Sequence, residues 1–98
     1  MNLNSLNLSS DYSESISVLH VDDDEFQLCF TKEFIEQFEP GICLDSVQDP
    51  GLVLDLLEEN WYDCVVCDYQ MPVINGIELA SRIRQNSDLP IILYTGRG

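Results

Sequence analysis

Four short apolar runs, each followed by a longer polar or amphipathic stretch, restrict this chain more than any other feature. The runs are SISVLHV (15–21), GICLDSV (41–47), YDCVVCD (62–68) and PIILY (90–94). Their β-branched content and short length predict strands buried on both faces. Between the first two lies EFQLCFTKEFIEQFE, with Phe26, Phe30, Phe34 and Phe38 at spacings of four and Cys29 and Ile35 beside them. That spacing predicts an amphipathic helix closed by Pro40-Gly41, and the aromatic stripe is expected to pack into the core. Asp49-Pro50 then supplies a cap followed by proline at the first helical position, and LVLDLLEEN continues as helix. The loop MPVING precedes a third helix over GIELASRIRQNS. The order β-α-β-α-β-α-β with near-continuous apolar strands implies a parallel sheet covered on both faces.

A chain of 98 residues holds one small domain. Residues 1–14 are expected to be a flexible polar tail, with the globular part over 15–98. Four Lys and Arg stand against eighteen Asp and Glu, a net charge of −14. Such a surface argues against phosphate backbones and anionic membranes, and for cations or basic partners. No basic, apolar leader opens the chain and no run nears the ~18 apolar residues of a membrane span, so a cytoplasmic location is expected. Cys64 and Cys67 form a C-x-x-C, yet on a strand residues three apart point to opposite faces. They are read as ordinary core cysteines. The lone His20, on the first strand, is read as a core residue or a support behind a site, and Trp61 as structural at the start of the third strand.

In open α/β sheets, ligands bind beyond the carboxyl ends of the strands. There the first strand ends in Asp22, Asp23 and Asp24, the third in Asp68, and the fourth in Tyr94-Thr95-Gly96. Carboxylates gathered at one edge call for a counter-charge, and Mg²⁺, which takes oxygen ligands and keeps several waters, supplies one. Two aspartates of the first strand, Asp68 and a carbonyl of the next loop make a suitable shell. With the repulsion offset, Asp68 becomes a nucleophile toward phosphorus, and the Thr95 hydroxyl a donor to a phosphoryl oxygen.

VLHVDDDEF, VVCDYQMPVING and PIILYTG, in this order and spacing, resemble the receiver domain of two-component response regulators, over residues 16–98. The resemblance implies a flavodoxin-like (CheY-like) doubly wound parallel sheet in three α/β/α layers, with strand order 2-1-3-4-5. It implies that Asp22 and Asp23 hold Mg²⁺ together with Asp68 and the Gln70 backbone carbonyl. Asp68 would be the phosphoacceptor, charged by a histidine kinase, and Thr95 the switch hydroxyl. Gln70 and Arg97 would tune hydrolysis of the aspartyl phosphate. Met71-Pro72 and Gly76 match the loop after the acceptor, with Asn75 where an aspartate is common.

The family continues with a fourth helix, a fifth strand ending in a phosphate-contacting lysine, and a fifth helix, and these residues have no counterpart here. The only lysine, Lys32, lies within the first helix and is not expected to replace it. The edge of PIILY is therefore expected to be open and to favour a longer parent protein or self-association. Two rival readings share some of these residues. A dehalogenase-like phosphatase would want an aspartate where Gln70 stands. A receiver-like interaction domain that carries no phosphate is the remaining alternative. The preferred reading is a regulatory phosphoacceptor, not an enzyme in its own right, with an output domain or downstream partner that the residues leave unnamed.

Overall fold

A computed structural model describes residues 15–95; the expected tail over 1–14, and Gly96 and Arg97, lie outside the described residues. The elements are β1 (Ile16–Val21), α1 (Glu25–Phe38), β2 (Ile42–Val47), α2 (Val53–Glu59), β3 (Cys64–Asp68), α3 (Gly76–Arg84) and β4 (Ile91–Tyr94). A single 3-10 turn, Pro50–Leu52, leads into α2, with the Asp49 side chain accepting from the Gly51 N–H. The four strands form one parallel sheet in the order β2-β1-β3-β4. This is the flavodoxin-like order as far as its fourth strand, with α1 on one face and α2 and α3 on the other.

The two faces follow from the period-two alternation of each strand. Leu19 and Val21 of β1, Val47 of β2, and Val65 and Cys67 of β3 point to one side. There they meet Val53 of α2 and Leu79 and Ile83 of α3 in one cluster with Tyr62 and Met71. Tyr62 also places its hydroxyl 2.6 Å from Asp45 Oδ2, so the polar interruption in β2 has a partner on this side. Val18 and His20 point the other way, toward α1.

Helix α1 begins at Asp24, whose carboxylate accepts from the Phe26 and Gln27 N–H groups at 3.0 and 3.4 Å. The third acid of the opening run is thus a helix cap. The helix ends with the Glu39 N–H on the Ile35 carbonyl, one residue before Pro40. Leu28 is its buried residue, flanked on the sheet side by Thr31, Lys32 and Ile35. Lys32 Nζ donates to the Leu44 carbonyl of β2 at 2.7 Å, fastening the helix to the strand.

The aromatic stripe is not core. Phe26, Phe30, Phe34 and Phe38 are 87, 68, 50 and 57% exposed, which corrects the expectation drawn from their spacing. A step of four residues turns about 40° past a full helical turn, so the four rings run obliquely off the sheet-facing side. Among the described residues, no element covers them. Phe34 and Phe38 pack on each other instead, with ring centroids 4.7 Å apart. Trp61 is also exposed, three residues ahead of β3 rather than at its start.

Candidate functional site

The strand register sets the site. Val21 pairs with Cys67, and Asp68 pairs with Tyr94, so Asp22, Asp68 and Tyr94 stand side by side at the carboxyl ends of β1, β3 and β4. Asp22 and Asp68 are 2 and 4% exposed, and Asp23 is half-buried. One carboxylate oxygen from each of Asp22, Asp23 and Asp68 lies within 4.8 Å of the others. The three expected acidic residues are therefore brought together.

Backbone donors hold two of the carboxylates. Asp22 Oδ1 accepts from the Asp24 N–H at 2.9 Å, and Asp68 Oδ1 from the Gln70 N–H at 3.1 Å. Asp23 Oδ1 is buried without a hydrogen-bond partner. A buried carboxylate oxygen left so is costly unless a cation takes it up. An all-oxygen donor set of this kind suits a hard divalent ion such as Mg²⁺. Beside it opens a depression of about 560 Å³ lined by Asp23, Tyr69, Gln70, Met71, Pro72 and Asn75.

The loop after β3 is held against the site. The Gly76 N–H bonds to the Tyr69 carbonyl at 2.9 Å, and a Cβ at Gly76 would lie 2.9 Å from the Asp68 carbonyl oxygen and from Leu93 Cδ2. Only glycine permits that approach. Asn75 caps α3, its side chain accepting from the Glu78 N–H at 2.8 Å, so the exchange for aspartate keeps the cap. Thr95 follows β4 directly and is exposed at the same edge, and the Tyr69 N–H bonds to the Tyr94 carbonyl at 2.7 Å. Gln70 is exposed at the rim. Lys32 is fastened to Leu44 and belongs to α1.

One arrangement was not foreseen. Tyr94 reaches past β3 and donates its hydroxyl to Asp22 Oδ2. His20, 2% exposed, places Nε2 at 2.9 Å from the same hydroxyl, with the rings 5.8 Å apart. Burial lowers the His20 pKa against the opposing pull of Asp22 and Asp68, and burial together with Asp22 raises that of Tyr94. The direction of the chain follows from the hydroxyl's single proton: Tyr94 O–H donates to Asp22, which leaves its oxygen to accept from His20 Nε2–H. The available signal was the period of two, which places His20, Asp22, Asp68 and Tyr94 on one face.

Both cysteines of the C-x-x-C are free thiols, but only Cys67 is a core residue; Cys64, on the opposite face of β3, is half-buried, which corrects the expectation for it. Burial raises both pKa values, that of Cys67 to about 12, which leaves neither thiol poised as a nucleophile.

The model of the "Response regulator receiver domain" family matches residues 18–98. Stress response regulator protein 1 of Lodderomyces elongisporus is 37% identical over 82 residues, which cover 81% of this chain and 23% of that protein. The transcriptional regulatory protein CpxR of Escherichia coli K12 is 35% identical over 81 residues, 83% of this chain and 34% of that protein. The chain thus spans a quarter to a third of the length of these relatives. Among solved structures, the Francisella response regulator 1452 receiver domain superposes with a TM-score of 0.74 at 33% identity, covering 85% of this chain and 68% of that one.

Proposed function

The chain belongs to the response regulator receiver domain family, and on that premise we propose that it is a phosphoacceptor switch in which Asp68 receives a phosphoryl group from a histidine kinase. The observation that carries the proposal is the convergence of Asp22, Asp23 and Asp68 within 4.8 Å at the carboxyl edge of the sheet. The side chains of Asp22, Asp23 and Asp68 and the Gln70 carbonyl would hold Mg²⁺, and the orphaned Asp23 Oδ1 supports that fit. When bound, such a cation neutralises charge on the phosphoryl oxygens and on the carboxylates they approach.

The residues themselves do the following. The Gln70 N–H holds Asp68 Oδ1 and so orients the carboxylate. A carboxylate oxygen of Asp68 attacks phosphorus, the O–P bond of an acyl phosphate forms, and the P–N bond of the donor phosphohistidine breaks. The leaving imidazole nitrogen keeps the electron pair. Thr95, at the edge beside Tyr94, would donate its hydroxyl to a phosphoryl oxygen, and Gln70 and Arg97 would govern access of hydrolytic water. In this reading residues 15–98 act as the receiver unit, regulatory and not catalytic toward other molecules. Among the described residues β4 is an edge strand, with Ile92 55% exposed, and either a further segment of a longer parent protein or a second copy of the chain would cover it. A monomer at all concentrations in sedimentation would overturn the self-association.

Intact-mass measurement after incubation with acetyl phosphate and Mg²⁺, beside Asp68→Asn, tests the central proposal. One added phosphoryl group, lost in the variant, is expected. No gain in a chain that still binds Mg²⁺ would favour the alternative, a receiver-like interaction domain that carries no phosphate.

A further inference from the structure

The hydrogen-bonded line from His20 through Tyr94 to Asp22 is not needed by the phosphoacceptor scheme, yet it ends on one of its carboxylates. Tyr94 sits two strands from Asp22, about 9.6 Å at the usual strand spacing. Its side chain therefore spans the end of β3 on the α1 side, where its hydroxyl meets both His20 of β1 and Asp22 just past its end. The hydroxyl has one proton to give, and Asp22 takes it. The oxygen of Tyr94 is then free to accept from His20 Nε2–H, which leaves the buried His20 Nδ1 as a bare acceptor without a partner. An unpaired buried nitrogen is an expense that a valine or leucine at position 20 would avoid. What the imidazole secures in exchange is the orientation of the Tyr94 hydroxyl.

Asp22 is consequently held by both oxygens. Oδ1 is fixed by the Asp24 N–H from its own loop, and Oδ2 by a side chain from β4. The second tie is long-range and joins β1 to the residue that immediately precedes Thr95.

Resting on the phosphoacceptor reading, we propose that Tyr94 is a positioning residue of the cation site: its hydroxyl, aimed by His20, fixes the Asp22 carboxylate and ties it to the end of β4. Outer hydrogen bonds to metal-ligating groups fix ligand orientation and strengthen metal binding. The tie also runs in the other direction. A cation that draws on Asp22 acts, through the Tyr94 hydroxyl, on the backbone that carries the Thr95 hydroxyl.

Calorimetric titration with MgCl₂ tests this on the full chain, its variants first compared by circular dichroism. Tyr94→Phe keeps the ring and removes one oxygen, and is expected to weaken Mg²⁺ binding ~10-fold or more. His20→Leu removes the donor that aims the hydroxyl and is expected to weaken it about threefold, one ordinary hydrogen bond's worth. In an Asp22→Ala background Tyr94→Phe should cause little further loss, because the acceptor it positions is gone. A merely structural tyrosine would give the same loss in both backgrounds. Wild-type affinity in Tyr94→Phe, or equal losses in the two backgrounds, overturns the proposal while the phosphoacceptor reading stands. If Tyr94→Phe does not fold, an unchanged affinity in His20→Leu overturns it instead. Absence of Mg²⁺ binding in the unaltered chain overturns both.

Discussion

The two faces of this sheet are built on opposite terms. Toward α2 and α3, the side chains of three strands and two helices close into an apolar cluster in which Leu19, Val21, Val53 and Val65 are completely buried. Toward α1, a buried histidine and two buried aspartates sit beside a half-covered tyrosine, and four phenylalanines stand in the open. The same β1 serves both, since Leu19 and Val21 alternate with Val18 and His20. The difference teaches that stability and chemistry are separated by one residue of register. A strand slipped by a single position would exchange them.

The contrast can be broken most directly by truncating one residue on each face. Leu19→Ala is expected to cost about 2–5 kcal/mol in urea unfolding, because it opens a cavity in the closed cluster. Phe30→Ala, on the open face, should fall within about 0.5 kcal/mol of the parent chain. Equal losses would show that the stripe is packed after all.

A smaller change probes where the closed face supports the site. Gly76→Ala places a methyl against Asp68 O, Leu93 and the Tyr69 backbone, so a loss of about 1–3 kcal/mol is expected. Weakened Mg²⁺ binding should accompany it, since the displaced carbonyl belongs to Asp68.

Smaller still is the polar contact of the closed face. Tyr62→Phe removes the bond to Asp45 and should cost about 1 kcal/mol at neutral pH. Burial, with Asp45, raises the Tyr62 pKa from 10.0 to about 12. The unfolded chain therefore gives up this proton first. Its contribution is complete below pH 10 and is lost as pH rises toward 12. Unfolding midpoints across that window should fall more steeply for the parent than for Tyr62→Phe. At the helix that covers the open face, Asp24→Ala should remove a cap worth about 1 kcal/mol and leave the closed face untouched.

The element order was readable because each apolar run is short and is bounded by turn residues or acids, as at Pro40-Gly41 and Asp22. The acidic convergence was readable for a similar reason: parallel strands bring all their carboxyl ends to one edge, so Asp22, Asp23 and Asp68 had to meet. The fate of the phenylalanines was not. Periodicity reports which side of a helix is apolar, but not whether another element lies against it. Nor could the reach of Tyr94 to Asp22 be read, because it depends on the pairing of Asp68 with Tyr94 and on the direction of one ring across β3. Nor was the cap at Asp24 read from the run of three aspartates, since which of them faces the first helical N–H groups depends on where the strand ends.

The fastening of Lys32 to the Leu44 carbonyl has a practical consequence. This is the one lysine of the chain, so an acylating reagent meets a single side-chain amine. That amine must leave its carbonyl before it can react. The rate of its acylation, set against that of a free lysine, therefore reports how often the bond from Lys32 to the Leu44 carbonyl opens. A chain with a crowded set of lysines would blur that reading, whereas here an adduct located on one side chain by peptide mass reports the opening of one hydrogen bond.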